Sequence, residues 1–162
     1  MSTETATGTP IVTSLSPEAA QVVADAMQPT LVELIDLALT GKQLHWAVVG
    51  KRFKPVHEHL DERIEEHREY SDMVAEYMST VGIVPDGRAV RVSSDATMNP
   101  VELAFLDDEA VIDSMTDRIR TVVTNVRNRM PAVAAVDAAA EDLLIEVTRV
   151  LDKQLWMTSA QR

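Results

Sequence analysis

The chain contains no cysteine. That removes disulfides, thiolate zinc sites and a cysteine nucleophile together, and leaves oxygen and nitrogen as the ligand atoms for any metal. No basic residue precedes Lys42, and only Arg162 follows Lys153, so neither end is a cationic tail able to displace counterions from DNA. The opening MSTETATGTP has neither the basic start nor the apolar stretch of a secretory leader, and no apolar run is long enough for a membrane anchor. A cytoplasmic protein with no membrane partner is expected. Internal repeats and long runs of alternating apolar and polar residues are also missing, which argues against an extended sheet.

What remains suits one domain with a core of ordinary size: 162 residues, 46% of them apolar. Twenty-six acids against fifteen bases give a formal charge of −11. Such a chain repels polyanions and attracts cations, although an acidic surface also serves solubility alone.

Residues 1–14, rich in Thr and Ser and without periodicity, read as a flexible arm ahead of a single domain over 15–159, with 160–162 as a short C-terminal end. Ser16 before Pro17 and Glu18 forms a helix start. Apolar spacing then runs through Val22, Val23 and Ala26, meets Pro29, and resumes through Leu31, Leu34, Ile35 and Ala38 to Trp46, predicting one long helix kinked or restarted at Pro29. Gly50 closes it, and a short turn leads to a second helix from about residue 54 to Val81, stopped by Gly82 and Pro85. The stretch from Ile83 to about Leu106 is long for a loop and fits a crossover carrying a short helix near Ser94. Acids at Asp107, Asp108 and Glu109 open a third long helix patterned on Val111, Ile112, Met115, Ile119, Val122, Val123 and Val126 and ending near Met130, before Pro131. The last runs from about Asp137 to Ser159. The expected fold class is all-α, a four-helix bundle with a long middle crossover, which is ferritin-like connectivity.

His45 and His57 lie symmetrically about the short turn, so on antiparallel neighbouring helices they stand at the same height and can meet. On the second helix His57, Asp61, Asp72 and Glu76 fall at about 0°, 40°, 60° and 100°, one stripe of imidazole and carboxylates. The fifteen residues from His57 to Asp72 span roughly 22 Å, too far for one metal. Two copies of the helix packed antiparallel about a two-fold axis near residues 66 and 67 would set His57 opposite Glu76 and Asp61 opposite Asp72. Each copy's His45, His57 and Asp61 would then meet the other's Asp72 and Glu76, giving two identical sites per dimer. Such a donor set suits ferrous iron, with zinc or manganese as competitors. The Glu-x-x-His pairs of an intrasubunit di-iron site are absent. Spacing alone leaves two readings open, a dimeric metal site and a solvated acidic helix with an interior histidine beside it. His67 falls near the axis, against its symmetry mate, and His59 on an exposed face.

The stretch KQLHWAVVGKRFKPVHEHLD followed by DMVAE closely resembles the signature of the Dps family, the small ferritins named for DNA binding in starved cells. The match covers His45, Trp46, Gly50, Phe53, His57, Leu60, Asp61, Asp72, Ala75 and Glu76 with the family's spacing, and LDKQLW from Leu151 to Trp156 resembles its last-helix motif. The resemblance spans about Leu31 to Met157. It implies hollow dodecamers of four-helix subunits, built on two-fold dimers, with a short extra helix in the crossover. They oxidise Fe(II) at sites shared between subunits, usually preferring hydrogen peroxide to oxygen, and keep the ferric mineral inside, which protects against oxidative damage.

Carried onto this chain, the resemblance implies an iron-oxidising and iron-storing mini-ferritin, a ferroxidase with His45, His57 and Asp61 from one subunit and Asp72 and Glu76 from the other as catalytic and metal ligands. Glu76 is the iron-bridging or the tightest-binding carboxylate in this reading, and Trp46 lies beside the site. Mineral nucleation falls to Glu58, Glu62 and Glu65, and acidic pores at three-fold axes to Asp137, Glu141 and Asp142, although acids at a helix start need no pore to explain them. The lysine-rich tails of DNA-binding members are missing, which argues against tail-mediated DNA binding and against the alternative of a DNA-condensing nucleoid protein with secondary iron chemistry.

Overall fold

A computed structural model describes residues 11–162; most of the expected N-terminal arm, residues 1–10, lies outside them. Helix α1 spans Pro17–Ala47, α2 Phe53–Thr80, α3 Ala89–Asp95, α4 Asp108–Ala134 and α5 Ala138–Ser159. Two-residue strands, β1 at Val48–Val49 and β2 at Leu106–Asp107, form a parallel pair with Val48 opposite Leu106 and Val49 opposite Asp107. Packing is closest between α1 and α2, then between α4 and α5, with α1 joining the two pairs through α4. This is the expected bundle with its crossover helix, and the strand pair is too short to leave an alternating pattern in sequence.

Local chemistry sets the ends. The Ser16 hydroxyl accepts from the Ala19 amide at 3.2 Å, Asp107 caps α4 through the Ala110 amide at 2.8 Å, and Asp137 caps α5 through the Ala139 amide at 3.1 Å. Helix α2 ends on Gly82 at φ 80°. The Gly82 amide donates to the Ser79 carbonyl and the Ile83 amide to that of Met78, a Schellman closure that satisfies two of the last carbonyls.

The prolines break less than expected. Helix α1 continues through Pro29 with no restart. Val23, Ala26 and Met27 before it and Leu31 and Leu34 after it are buried in the same core, and that burial outweighs the roughly 3 kcal/mol that a helix-interior proline costs. Helix α4 passes the expected stop at Met130 and holds Pro131 in its last turn, because Val133 beyond it is fully buried. Every apolar position that patterned α4 is buried. On α5, Leu143, Leu144, Val147 and Leu151 are buried, while Val150 and Leu155 are only partly so.

Two polar networks cross this core. Glu33 on α1, 1% exposed, accepts from Arg129 Nη1 at 2.5 Å and Nη2 at 3.0 Å and from the Asn125 amide at 2.7 Å, both on α4. On the other side Arg63 Nη1 and Gln154 Nε2 both donate to Glu66 Oε2, at 2.8 and 2.7 Å, and His67 Nε2 donates to Gln154 Oε1 at 2.7 Å. His67 is 1% exposed. It faces α5 inside its own bundle, which replaces the expectation of a residue packed on a symmetry mate. His59 is half-buried against Thr158, at 3.3 Å, rather than exposed.

Candidate metal centre

His45 stands in the last turn of α1 and His57 in the second turn of α2, on either side of the turn formed by Val48 to Arg52. Their rings stack with centroids 3.5 Å apart and planes 22° from parallel. Each Nδ1 lies 2.9 Å from the other residue's main-chain carbonyl. A carbonyl can only accept, so each Nδ1 carries a proton, and Nε2 is the nitrogen left to offer a lone pair to a metal. The same bonds fix both ring orientations. The helices come this close because Gly41 on α1 faces Ile64 on α2, where a Cβ would meet Ile64 Cγ1 at 3.1 Å.

Asp61, one turn beyond His57, completes a cluster: His45, His57 and Asp61 each offer a ligand atom, all within 4.8 Å of one another. Among the described residues no other group of three or more His, Asp or Glu side chains has this geometry. Asp61 Oδ1 lies 2.5 Å from Lys42 Nζ and 3.3 Å from His45 Nδ1. The Lys42 hydrogen bond is the main cause holding the Asp61 carboxyl below its ordinary pKa. Lys42 was not singled out in the sequence, although it lies one helical turn before His45 and so on the same face.

Within one chain the remaining ligand candidates stay apart from this cluster. Asp72 and Glu76 are exposed on α2, and eleven residues of helix set Asp72 roughly 16 Å beyond Asp61. Trp46 is 64% exposed and borders a depression of about 430 Å³ together with Leu103 and Phe105 from the crossover. Glu58, Glu62 and Glu65 are exposed, with Lys54, Arg63 and Arg68 respectively as ionic partners. Of the acids at the start of α5, Asp137 caps that helix and also accepts from the Tyr77 hydroxyl. That bond, after desolvation, helps push the Tyr77 pKa upward. Glu141 is partly buried and Asp142 exposed.

The closed end of the α1–α2 hairpin is held by Gly50, Arg52 and Asp108. Gly50 has φ 125°, and a Cβ there would stand 2.6 Å from Asp108 Oδ2. That oxygen accepts from the Arg52 amide at 2.8 Å, while the Arg52 guanidinium donates to Asp108 Oδ1 and to the Gln161 carbonyl. No helix among the described residues is long and apolar enough to cross a membrane.

Residues 24–162 match the ferritin-like domain family. A relative from Mycolicibacterium smegmatis named DNA protection during starvation protein is 33% identical over 146 residues, covering 90% of this chain and 80% of that protein. DNA protection during starvation protein 2 of Deinococcus radiodurans is 36% identical over 135 residues, 83% of this chain, and the match spans only 56% of that relative's length. Among solved structures, Dps from Microbacterium arborescens in its high iron form superposes with a TM-score of 0.88 at 27% identity, covering 93% of this chain and 98% of that one.

Proposed function

This chain belongs to the Dps family of mini-ferritins, and on that premise we propose that it is a ferroxidase and iron store, taking Fe(II) as substrate and hydrogen peroxide or oxygen as oxidant. The observation that carries the reading is the paired imidazoles with Asp61, half of a metal site that its own chain does not complete. The working unit is then a homo-oligomer, a dodecamer built on two-fold dimers, in which Asp72 and Glu76 of a second copy close each site. It acts in the cytoplasm.

In this reading His45 and His57 supply neutral nitrogen ligands held in orientation by each other's carbonyls. Asp61, Asp72 and Glu76 supply three negative charges, and hard anionic oxygens favour the ferric product over the ferrous substrate. Two ferrous ions give one electron each, and peroxide takes both with two protons to yield two waters, so the oxidant is consumed pairwise. Lys42 neutralises Asp61 until a metal ion takes that place. Glu58, Glu62 and Glu65, exposed along α2, are the candidates for holding ferric ions during mineral growth, and Glu141 and Asp142, with Asp137 at the helix start, for lining a cation channel.

Anaerobic loading with ferrous iron followed by peroxide tests the site. Asp61→Ala and Glu76→Ala are each expected to slow ferric formation at least about tenfold, as loss of groups that hold a metal does. Equal rates in wild type and both variants would remove the assignment.

A further inference from the structure

Asp108 lies at the first position of α4, sixty-three residues from His45 and outside the metal cluster, yet it is 8% exposed and every hydrogen bond of its carboxylate goes to the α1–α2 turn. Oδ2 accepts the Arg52 backbone amide at 2.8 Å and Oδ1 accepts Arg52 Nε at 2.9 Å, with Nη2 in ion-pair contact 2.8 Å from Oδ1. A carboxylate that takes the guanidinium on one oxygen and the backbone amide of the same residue on the other fixes that residue in position and angle, and both contacts are charge-assisted. Gly50 is what lets it in: any side chain there would stand 2.6 Å from Oδ2. The parallel pair Val48–Leu106 and Val49–Asp107 runs directly into this contact.

The turn held in this way is the closed end of the hairpin that carries the two imidazoles. Arg52 is followed at once by Phe53, whose ring lies 5.0 Å from that of His57. His57 in turn is locked to His45 by two bonds of 2.9 Å. Separating His45 from His57 by about half an ångström would stretch both bonds beyond ordinary hydrogen-bond length. The geometry points to Asp108 as a positioning residue for the metal centre, setting the register of His45 against His57 through Arg52 and Phe53. This rests on the metal-site reading above and adds to it a residue from the other helical hairpin. The Arg52 amide is the chief cause that keeps the Asp108 carboxyl below its ordinary pKa, so the clamp is charged at neutral pH.

Cobalt(II), added to the assembled full-length protein, probes the centre through both its affinity and its ligand-field absorption, which reports coordination geometry. Asp108→Asn keeps the side chain's size but puts an amide nitrogen where one of the two oxygens accepts. Arg52→Gln removes the guanidinium while sparing the backbone bond, and decides the matter should Asp108→Asn fail to assemble. Glu109→Gln is the control, an exposed acid in the same first turn of α4 with the same helix-dipole interaction and no contact to the α1–α2 turn. Cobalt affinity is expected to fall about tenfold in Asp108→Asn, with a changed absorption band, less in Arg52→Gln, and not in Glu109→Gln. Wild-type affinity and an unchanged band in correctly assembled Asp108→Asn and Arg52→Gln would overturn the positioning role, as would an equal loss in Glu109→Gln. No cobalt binding by the wild type would instead overturn the metal-site reading, and the positioning role with it.

Discussion

His67 is neutral in the folded chain because burial, with only Gln154 and the charge of Glu66 opposing it, pushes its pKa from 6.5 down to about 4. The unfolded chain takes up that proton near 6.5, so it binds more protons than the folded one between the two values. The resulting stability is complete above about pH 6.5 and is lost as pH falls towards 4, by up to about 3 kcal/mol. Urea midpoints measured across this window are expected to fall with pH in the wild type and to flatten in His67→Gln; an unchanged slope would exclude His67 as the cause. The residue was legible in principle. It stands seven positions from both Leu60 and Val74, on the buried stripe of α2, whereas His57, Asp61, Asp72 and Glu76 share a different stripe of that helix. His45 and His57 could be paired from sequence because only twelve residues and a short turn separate them, whereas nothing local signals that His67 meets a glutamine eighty-seven positions away.

Element boundaries were readable wherever a side chain closes a helix end, as Ser16, Asp107 and Gly82 do, and misread at Pro131, where burial of a residue beyond the proline decides. The join between α1 and α4 was not readable at all, because Glu33 and Arg129 are ninety-six positions apart and each looks like an ordinary surface charge. With Glu33 at 1% exposure and the Arg129 side chain at 19%, Glu33→Gln leaves the guanidinium without its counter-charge in a largely dry place. Removing one partner of a buried pair is expected to cost about 3 kcal/mol here, the lower end of the usual range because Arg129 keeps some contact with water. Chemical denaturation checks this, and a loss under about 1 kcal/mol would mean that the pair is screened as a surface pair is. Cobalt binding should survive the substitution, since Glu33 touches neither the turn nor the cluster.

At the scale of the assembly, the proposed division of ligands between subunits predicts an outcome that no intrasubunit site shares. Asp61→Ala and Glu76→Ala chains, each expected to be slow when assembled alone, are expected to recover activity when unfolded together and reassembled. In a mixed dimer both lesions fall in one site and the other site is intact, so random pairing restores about a quarter of the sites. No recovery in assembled mixtures would contradict the shared site. The formal charge of −11 per chain and the lack of any base before Lys42 lead to weak retention of DNA in a gel shift without magnesium; strong binding there would bring the DNA-condensing reading forward. Asp72 and Glu76 could be assigned from sequence to a second copy because two antiparallel copies of one helix set His57 opposite Glu76 and Asp61 opposite Asp72. Spacing alone, however, does not tell a carboxylate that faces a partner from one that faces water. The short span between His45 and His57 bears on synthesis as well. Both imidazoles and Asp61 precede Asp108 and Gln161, which hold their turn, in order of synthesis. A nascent chain therefore holds the proposed ligand cluster before the groups that steady its turn exist.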